Sequence, residues 1–314
     1  MKKTAFLFPG QGSQKVGMGS RLSGLYPEIA RDVFLRADGI LEYPISRLCF
    51  EGPEEALTQT ENAQPGIFLA SMAALHVLKT RGLAPQAVAG HSLGEYSALV
   101  AAGALTFETA LRLVRKRGLL MAEAAKQSQG TAMAAIMGIP AEKVEEICAS
   151  SRCLGCVEIA NLNSPQQTVI SGERKAVEQA SAEARRIGGK AIPLKVSAPF
   201  HCSLMNRIRD SFASELNAAE IRAPEIPVVA NVTGDYVRDA SSVRNALKEQ
   251  VAGAVRWYPT IERLVADEFT CFVEVGPGKV LTGLMRQIAP GVEAHVTDDR
   301  LDTVIEDLCG VARF

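Results

Sequence analysis

Ser92 lies at the centre of Gly90-His-Ser-Leu-Gly94, a G-x-S-x-G run. Four small or apolar residues, Ala87 to Gly90, precede it as the end of a buried strand, and helix formers run from Leu93 to Ala102. A sharp strand-to-helix turn needs glycine where the two backbones meet, and it exposes the central side chain at its tip. The N–H groups that open the helix point at the same spot and favour negative charge there. The chemistry this predicts is attack by a serine oxygen on a carbonyl carbon, through an oxyanion. The bland alternative is a turn serine, and a base, a second donor and a source of specificity must decide between the two.

The base must come from four histidines: His76, His91, His201 and His295. His91 adjoins Ser92, so its side chain should point away from the hydroxyl, and His76 sits among apolar residues as a core or interface histidine. His201 is the best base by elimination. It ends Ser197-Ala-Pro-Phe-His201, where Pro199 fixes the backbone just before it at a domain junction. For the second oxyanion donor, the loop Pro9-Gly-Gln-Gly-Ser-Gln14 follows a first strand, Thr4 to Phe8. It lacks the Lys-Ser/Thr ending of a phosphate-binding loop. The backbone N–H of Gln11 is the candidate, with a plain tight turn as the alternative. A cation comes from the helix that Thr106 caps, where Phe107, Ala110, Leu111, Val114 and Met121 share one face. Arg117 projects along the margin of that face, either snorkelling to solvent or aimed into a pocket.

The elements that must position these groups alternate as in an α/β protein. Irregular helix is expected over residues 17–62, with breaks at Tyr43-Pro44 and Gly52-Pro53. A helix runs from Gly66 to Thr80, opened by Gln64-Pro65. Strands are expected at Ile226 to Val232, Cys271 to Val275 and Glu293 to Val296. Helices are expected at Val243 to Val251, Trp257 to Ala266, Val280 to Ile288 and Leu301 to Ala312. Between residues 129 and 197 the order is strand Thr131 to Ile139, helix Pro140 to Ser150, strands Val157 to Ala160 and Thr168 to Ser171, helix Glu173 to Ile187 and strand Lys190 to Val196. That β-α-β-β-α-β order is the split ferredoxin-like pattern. The fold expected is α/β: a hydrolase-like core with a mostly parallel sheet (1–128 and 198–314) plus an inserted ferredoxin-like subdomain (129–197).

Composition sets the outer bounds. The chain has 314 residues, 47% hydrophobic and 22% charged, with a net charge of −1. This is ordinary for a globular protein and gives no basic excess for nucleic acid or a membrane surface. The apolar run after Met1-Lys-Lys breaks at Pro9-Gly10, too early for a signal peptide. No uninterrupted apolar stretch suggests a membrane span, so a cytoplasmic protein is expected. Seven scattered cysteines do not suggest a disulfide framework. Cys153-Leu-Gly-Cys156 lacks the second ligand pair of a metal site, so no metal is expected.

Several separate stretches together resemble one family. Phe8-Pro-Gly-Gln-Gly-Ser-Gln14, Gly90-His-Ser-Leu-Gly-Glu-Tyr96, Arg117-Gly-Leu-Leu-Met121, Asn163-Ser-Pro165, Pro199-Phe-His201 and Phe272-Val-Glu-Val-Gly-Pro-Gly-Lys279 are similar, in order and spacing, to malonyl-CoA:acyl carrier protein transacylases. The resemblance implies that malonyl-CoA and acyl carrier protein are the partners, that no cofactor is needed and that the protein is a monomer. It implies Ser92 as nucleophile, His201 as base and the N–H groups of Gln11 and Leu93 as oxyanion hole. Arg117 would pair with the malonyl carboxylate, with Met121, Asn163 and Phe200 as further substrate-binding positions, and Phe200 would crowd a branched acyl group. The backbone carbonyl of Gln250 would orient the base. The competing reading is a serine hydrolase or thioesterase on the same elbow.

Overall fold

A computed structural model describes residues 2–127, 130–196 and 198–309. Ten strands form two sheets: β1 (Thr4–Phe8), β2 (Ala87–Gly90), β3 (Thr131–Met137), β4 (Val157–Ser164), β5 (Gln167–Glu173), β6 (Lys190–Pro193), β7 (Val228–Val229), β8 (Tyr236–Val237), β9 (Cys271–Glu274) and β10 (Glu293–Val296).

The larger sheet has the order β10-β9-β1-β2-β7-β8. Its central strands are short, almost fully buried runs of small and apolar residues. That is the composition of parallel strands covered on both faces. All neighbours pair in parallel except β8, which returns antiparallel on β7. The register Phe8↔Gly90 and Ala89↔Val229 makes the chain leave β1, β2 and β7 side by side at one sheet edge. Ligand chemistry in open α/β sheets gathers at that carboxyl edge.

The smaller sheet runs β4-β5-β3-β6 and is antiparallel throughout. Helices Ala141–Ser151 and Arg174–Arg186 pack on it around a separate core that includes Ile136, Ile139, Val144, Ile170 and Val177. This is the ferredoxin-like arrangement. Its outer strand meets the larger unit where Leu162 donates to the Val255 carbonyl at 2.8 Å and Val255 to the Ala160 carbonyl at 2.8 Å.

Several expected boundaries move. The helix expected from Gly66 begins at Thr60 and keeps Pro65 inside it (Thr60–Thr80). Proline cannot bond the carbonyl four residues back, but Arg115 supplies a donor to that Glu61 carbonyl at 2.5 Å. The strand expected over 226–232 shrinks to Val228–Val229, because the chain turns at once into the β8 hairpin. The elbow helix is Gly94–Ala101, and β6 stops at Pro193 rather than Val196. The last helix is Leu301–Cys309, and its expected continuation to Ala312 lies outside the described residues, as do Ser197 and residues 128–129.

Candidate active site

The turn after β2 is forced by contact. A Cβ on Gly90 would stand 1.9 Å from the carbonyl carbon of Gly94, and one on Gly94 would stand 2.1 Å from the Phe8 oxygen. Both distances are far inside van der Waals contact with main chain, so strand and helix meet there only as glycine. Ser92, between them, has φ 51°, and His201 has φ 59°. The left-handed region costs a residue with a Cβ about 1–2 kcal/mol. The side chains of these two residues meet: Ser92 Oγ is 2.8 Å from His201 Nε2.

Partner chemistry fixes the protons. Arg117 Nη2 lies 3.0 Å from the same Ser92 Oγ, and a guanidinium only donates. Ser92 therefore accepts from Arg117 and gives its own proton to His201 Nε2. The opposite ring nitrogen, Nδ1, donates to the main-chain oxygens of Gln250 at 2.9 Å and Gly253 at 3.2 Å. Burial, then the neighbouring Arg117 charge, push the His201 imidazole down from 6.5 to about 3. It is thus the neutral form that faces the hydroxyl. The N–H of Ser92 itself donates to Asn231 Oδ1 at 2.6 Å. Among the described residues the N–H groups of Gln11 and Leu93 have no acceptor.

Arg117 is 1% exposed, so it lies inside the buried face rather than along its margin. The helix Phe107–Gln127 brings it against the elbow helix, with its guanidinium 5.9 Å from the Tyr96 ring centre. Nη1 donates to Gln64 Oε1 at 2.7 Å and Nη2 to Gln250 Oε1 at 3.0 Å, while Nε finds no partner among the described residues. No carboxylate pairs with it there within 4.0 Å. A buried cation held by uncharged groups, two amides, a hydroxyl and an aromatic ring, retains most of its pull on an incoming anion.

These groups open into a cleft of about 730 Å³ lined by Gln11, Ser92, Leu93, Arg117, Met121, Phe200 and His201, with Met133 and Asn161 of the smaller sheet among the further residues. Gln11 is tied down through Nε2 to Thr60 Oγ1 at 3.2 Å, and the Met121 sulfur accepts from Gln64 Nε2 at 3.4 Å. Asn163 does not line the cleft. It stands behind it, with Oδ1 2.9 Å from His91 Nε2, and Asn161 is the asparagine on the wall. Gln64 and Asn231 are buried polar neighbours of these groups that motif reading missed, and Glu95 lies inside the run Gly90-His-Ser-Leu-Gly-Glu-Tyr96 without having been given a role. Asn231 follows β7 immediately beside β2, and its position at the carboxyl end of an expected strand was the available signal.

Among the described residues, metal-capable atoms come within 4.8 Å of one another in two places, Cys156/Glu158/Cys202 and Cys271/Glu293/His295. In both the carboxylate is already engaged, Glu158 by the Ser203 amide and hydroxyl and Glu293 by Lys2 and His295. Neither is part of the Ser92 cleft lining.

Comparison with known proteins gives one answer. The family model for the acyl transferase domain matches residues 5–298. A malonyl CoA-acyl carrier protein transacylase of Bacillus subtilis strain 168 is 47% identical over 92% of this chain and 91% of its own. The protein of that name from Escherichia coli K12 is 42% identical over 95% and 97%. The crystal structure of FabD from Acinetobacter baumannii superposes with a TM-score of 0.94 at 41% identity, covering 99% of both chains. A malonyl-transacylase solved in complex with its type II PKS acyl-carrier protein superposes with a TM-score of 0.93 at 40% identity, covering 97% of this chain and 99% of that one.

Proposed function

The chain belongs to the malonyl CoA-acyl carrier protein transacylase family of acyl transferases, and from that premise we propose a residue-level course for malonyl transfer from malonyl-CoA to the phosphopantetheine thiol of acyl carrier protein. Ser92 Oγ attacks the thioester carbonyl as its proton passes to His201 Nε2. The N–H groups of Gln11 and Leu93 receive the oxyanion, and fixed donors of this kind are worth about 3–4 kcal/mol each. The C–S bond breaks, His201 returns the proton to the departing thiolate, and malonyl remains on Ser92. The carrier thiol then gives its proton to His201 and attacks the ester, and collapse restores Ser92. Acyl exchange between oxygen and sulfur needs no metal or cofactor. We place the reaction in the cytoplasm, carried out by a monomer, supplying extender units for fatty acid synthesis. Residues 129–197 serve as an inserted subdomain that forms one wall of the cleft.

One observation carries the substrate reading: Arg117, buried and without a carboxylate partner among the described residues, touches the nucleophile itself at 3.0 Å. An acyl group ending in a carboxylate can pair bidentately with that guanidinium. An acetyl group leaves a buried cation unpaired, a difference sites of this kind turn into about 10⁴-fold selection. Phe200, 7% exposed on the wall, leaves little room for a branch on the acyl chain.

Intact-protein mass spectrometry with peptide mapping tests the course. Malonyl-CoA alone should leave a malonyl adduct on Ser92 that holo acyl carrier protein discharges. Free malonate accumulating without an adduct would instead mean that water reaches the intermediate and that the hydrolase reading applies.

A further inference from the structure

Glu95 is a carboxylate with 1% exposure, one turn from the nucleophile, and the reaction course above gives it no task. Its Oε2 accepts from Gln250 Nε2 at 2.7 Å and from the Asn231 N–H at 3.1 Å. Gln250 Nε2 also donates to the Ser92 carbonyl at 2.9 Å. Both hydrogens of that amide are therefore committed to acceptors on the elbow side. The other end of the same amide, Oε1, is left to face Arg117 Nη2 at 3.0 Å.

An amide offers donors at one end and an acceptor at the other, so the orientation of Gln250 decides what Arg117 meets. With Nε2 anchored, Arg117 meets an acceptor. Flipped, the amide would point N–H groups at a guanidinium that can only donate, and Arg117 would move. Glu95 itself stays outside ion-pair distance of Arg117 among the described residues, with the Gln250 amide between them. The amide passes on orientation while keeping the carboxylate from neutralising the guanidinium.

We propose that Glu95 is a positioning residue for acyl-group selection, acting through the Gln250 side chain to hold Arg117 where a substrate carboxylate can take it. This rests on the malonyl-transfer reading above. The main-chain oxygen of Gln250 serves His201 separately, so the acyl-selecting and base-orienting roles of this residue can be pulled apart.

The test is a double-mutant cycle read as the ratio of kcat/KM for malonyl-CoA to that for acetyl-CoA. Glu95→Met removes the anchor at similar volume, and Gln250→Met removes the amide but keeps its main-chain oxygen. Each should lower the ratio by at least about tenfold, chiefly through a higher KM for malonyl-CoA, and the double variant should be no worse than Gln250→Met, as coupled residues require. Glu95→Gln retains an acceptor oxygen and should restore the ratio to within about threefold of the parent. Equal losses for both thioesters in Glu95→Met, or losses that multiply in the double variant, would overturn the proposal. If Glu95→Met fails to fold, Gln250→Met decides, and an unchanged ratio there refutes it. A parent protein showing no malonyl preference would sink the malonyl-transfer reading instead.

Discussion

The two sides of Ser92 are made of different materials. The elbow side is main chain, held by Gly90 and Gly94, where an added Cβ meets backbone at 1.9 and 2.1 Å. The arginine side is side chain: Gln64, Glu95, Arg117, Asn231 and Gln250, each 1% exposed or less, joined by hydrogen bonds. A steric constraint is all-or-none, and at Gly90 against Gly94 it fits within five residues, while Gly94 meets Phe8 of the neighbouring strand. A hydrogen-bond network is graded, and the pair Glu95 and Gln250 alone spans 155 positions of sequence. The elbow exposes the Ser92 side chain, and on our proposal the network selects the acyl group it attacks.

The elbow side should fail hardest. Gly94→Ala drives a methyl into the Phe8 carbonyl at 2.1 Å, with no flexible side chain to yield. The cost should exceed about 4 kcal/mol and leave little folded protein. A soluble variant whose calorimetric melt matched the parent would show that strand and helix can part, erasing the contrast.

The arginine side should fail selectively. Arg117→Ala should cut kcat/KM for malonyl-CoA about a thousandfold and move acetyl-CoA by less than about tenfold. A matched loss for both would mean that Arg117 serves the Ser92 geometry rather than acyl choice.

The finest test is of charge. His201 is held down from 6.5 to about 3, chiefly by burial, so the unfolded chain binds its proton between those values and stability rises with pH across them. Burial raises Glu95 from 4.5 to about 7, so there the native state keeps the proton and stability falls as pH rises. The two slopes oppose each other between pH 4.5 and 6.5. Glu95→Gln removes the falling one, and the unfolding free energy from urea titrations should then climb with pH relative to the parent by about 1.4 kcal/mol per unit. Parallel profiles would mean that Glu95 is ionised throughout.

The same division explains what could be read from sequence. Ser92, the strand before it and the helix after it were legible because contacts between neighbours dictate them. The β-α-β-β-α-β order was legible because period and punctuation mark each element. The roles of Gln64 and Glu95 were not, and Asn231 offered only its place at a strand end, since a polar residue that ends up buried against a partner more than 50 positions away looks like any surface residue until the chain is folded. Arg117 shows the limit well: spacing gave its helix face, but its depth depends on the amides brought against it. The early start of helix Thr60–Thr80 was hidden likewise, because Arg115 from another helix takes the carbonyl that Pro65 leaves free.

His201 is held by the main-chain oxygens of Gln250 and Gly253 rather than by a carboxylate. A main-chain acceptor has no codon of its own, so no side-chain replacement can delete it while the chain keeps its path. On the proposal above, drift at position 250 would alter which acyl group is accepted while His201 stays in place. A lineage built on this plan can change its diet without first losing its catalyst.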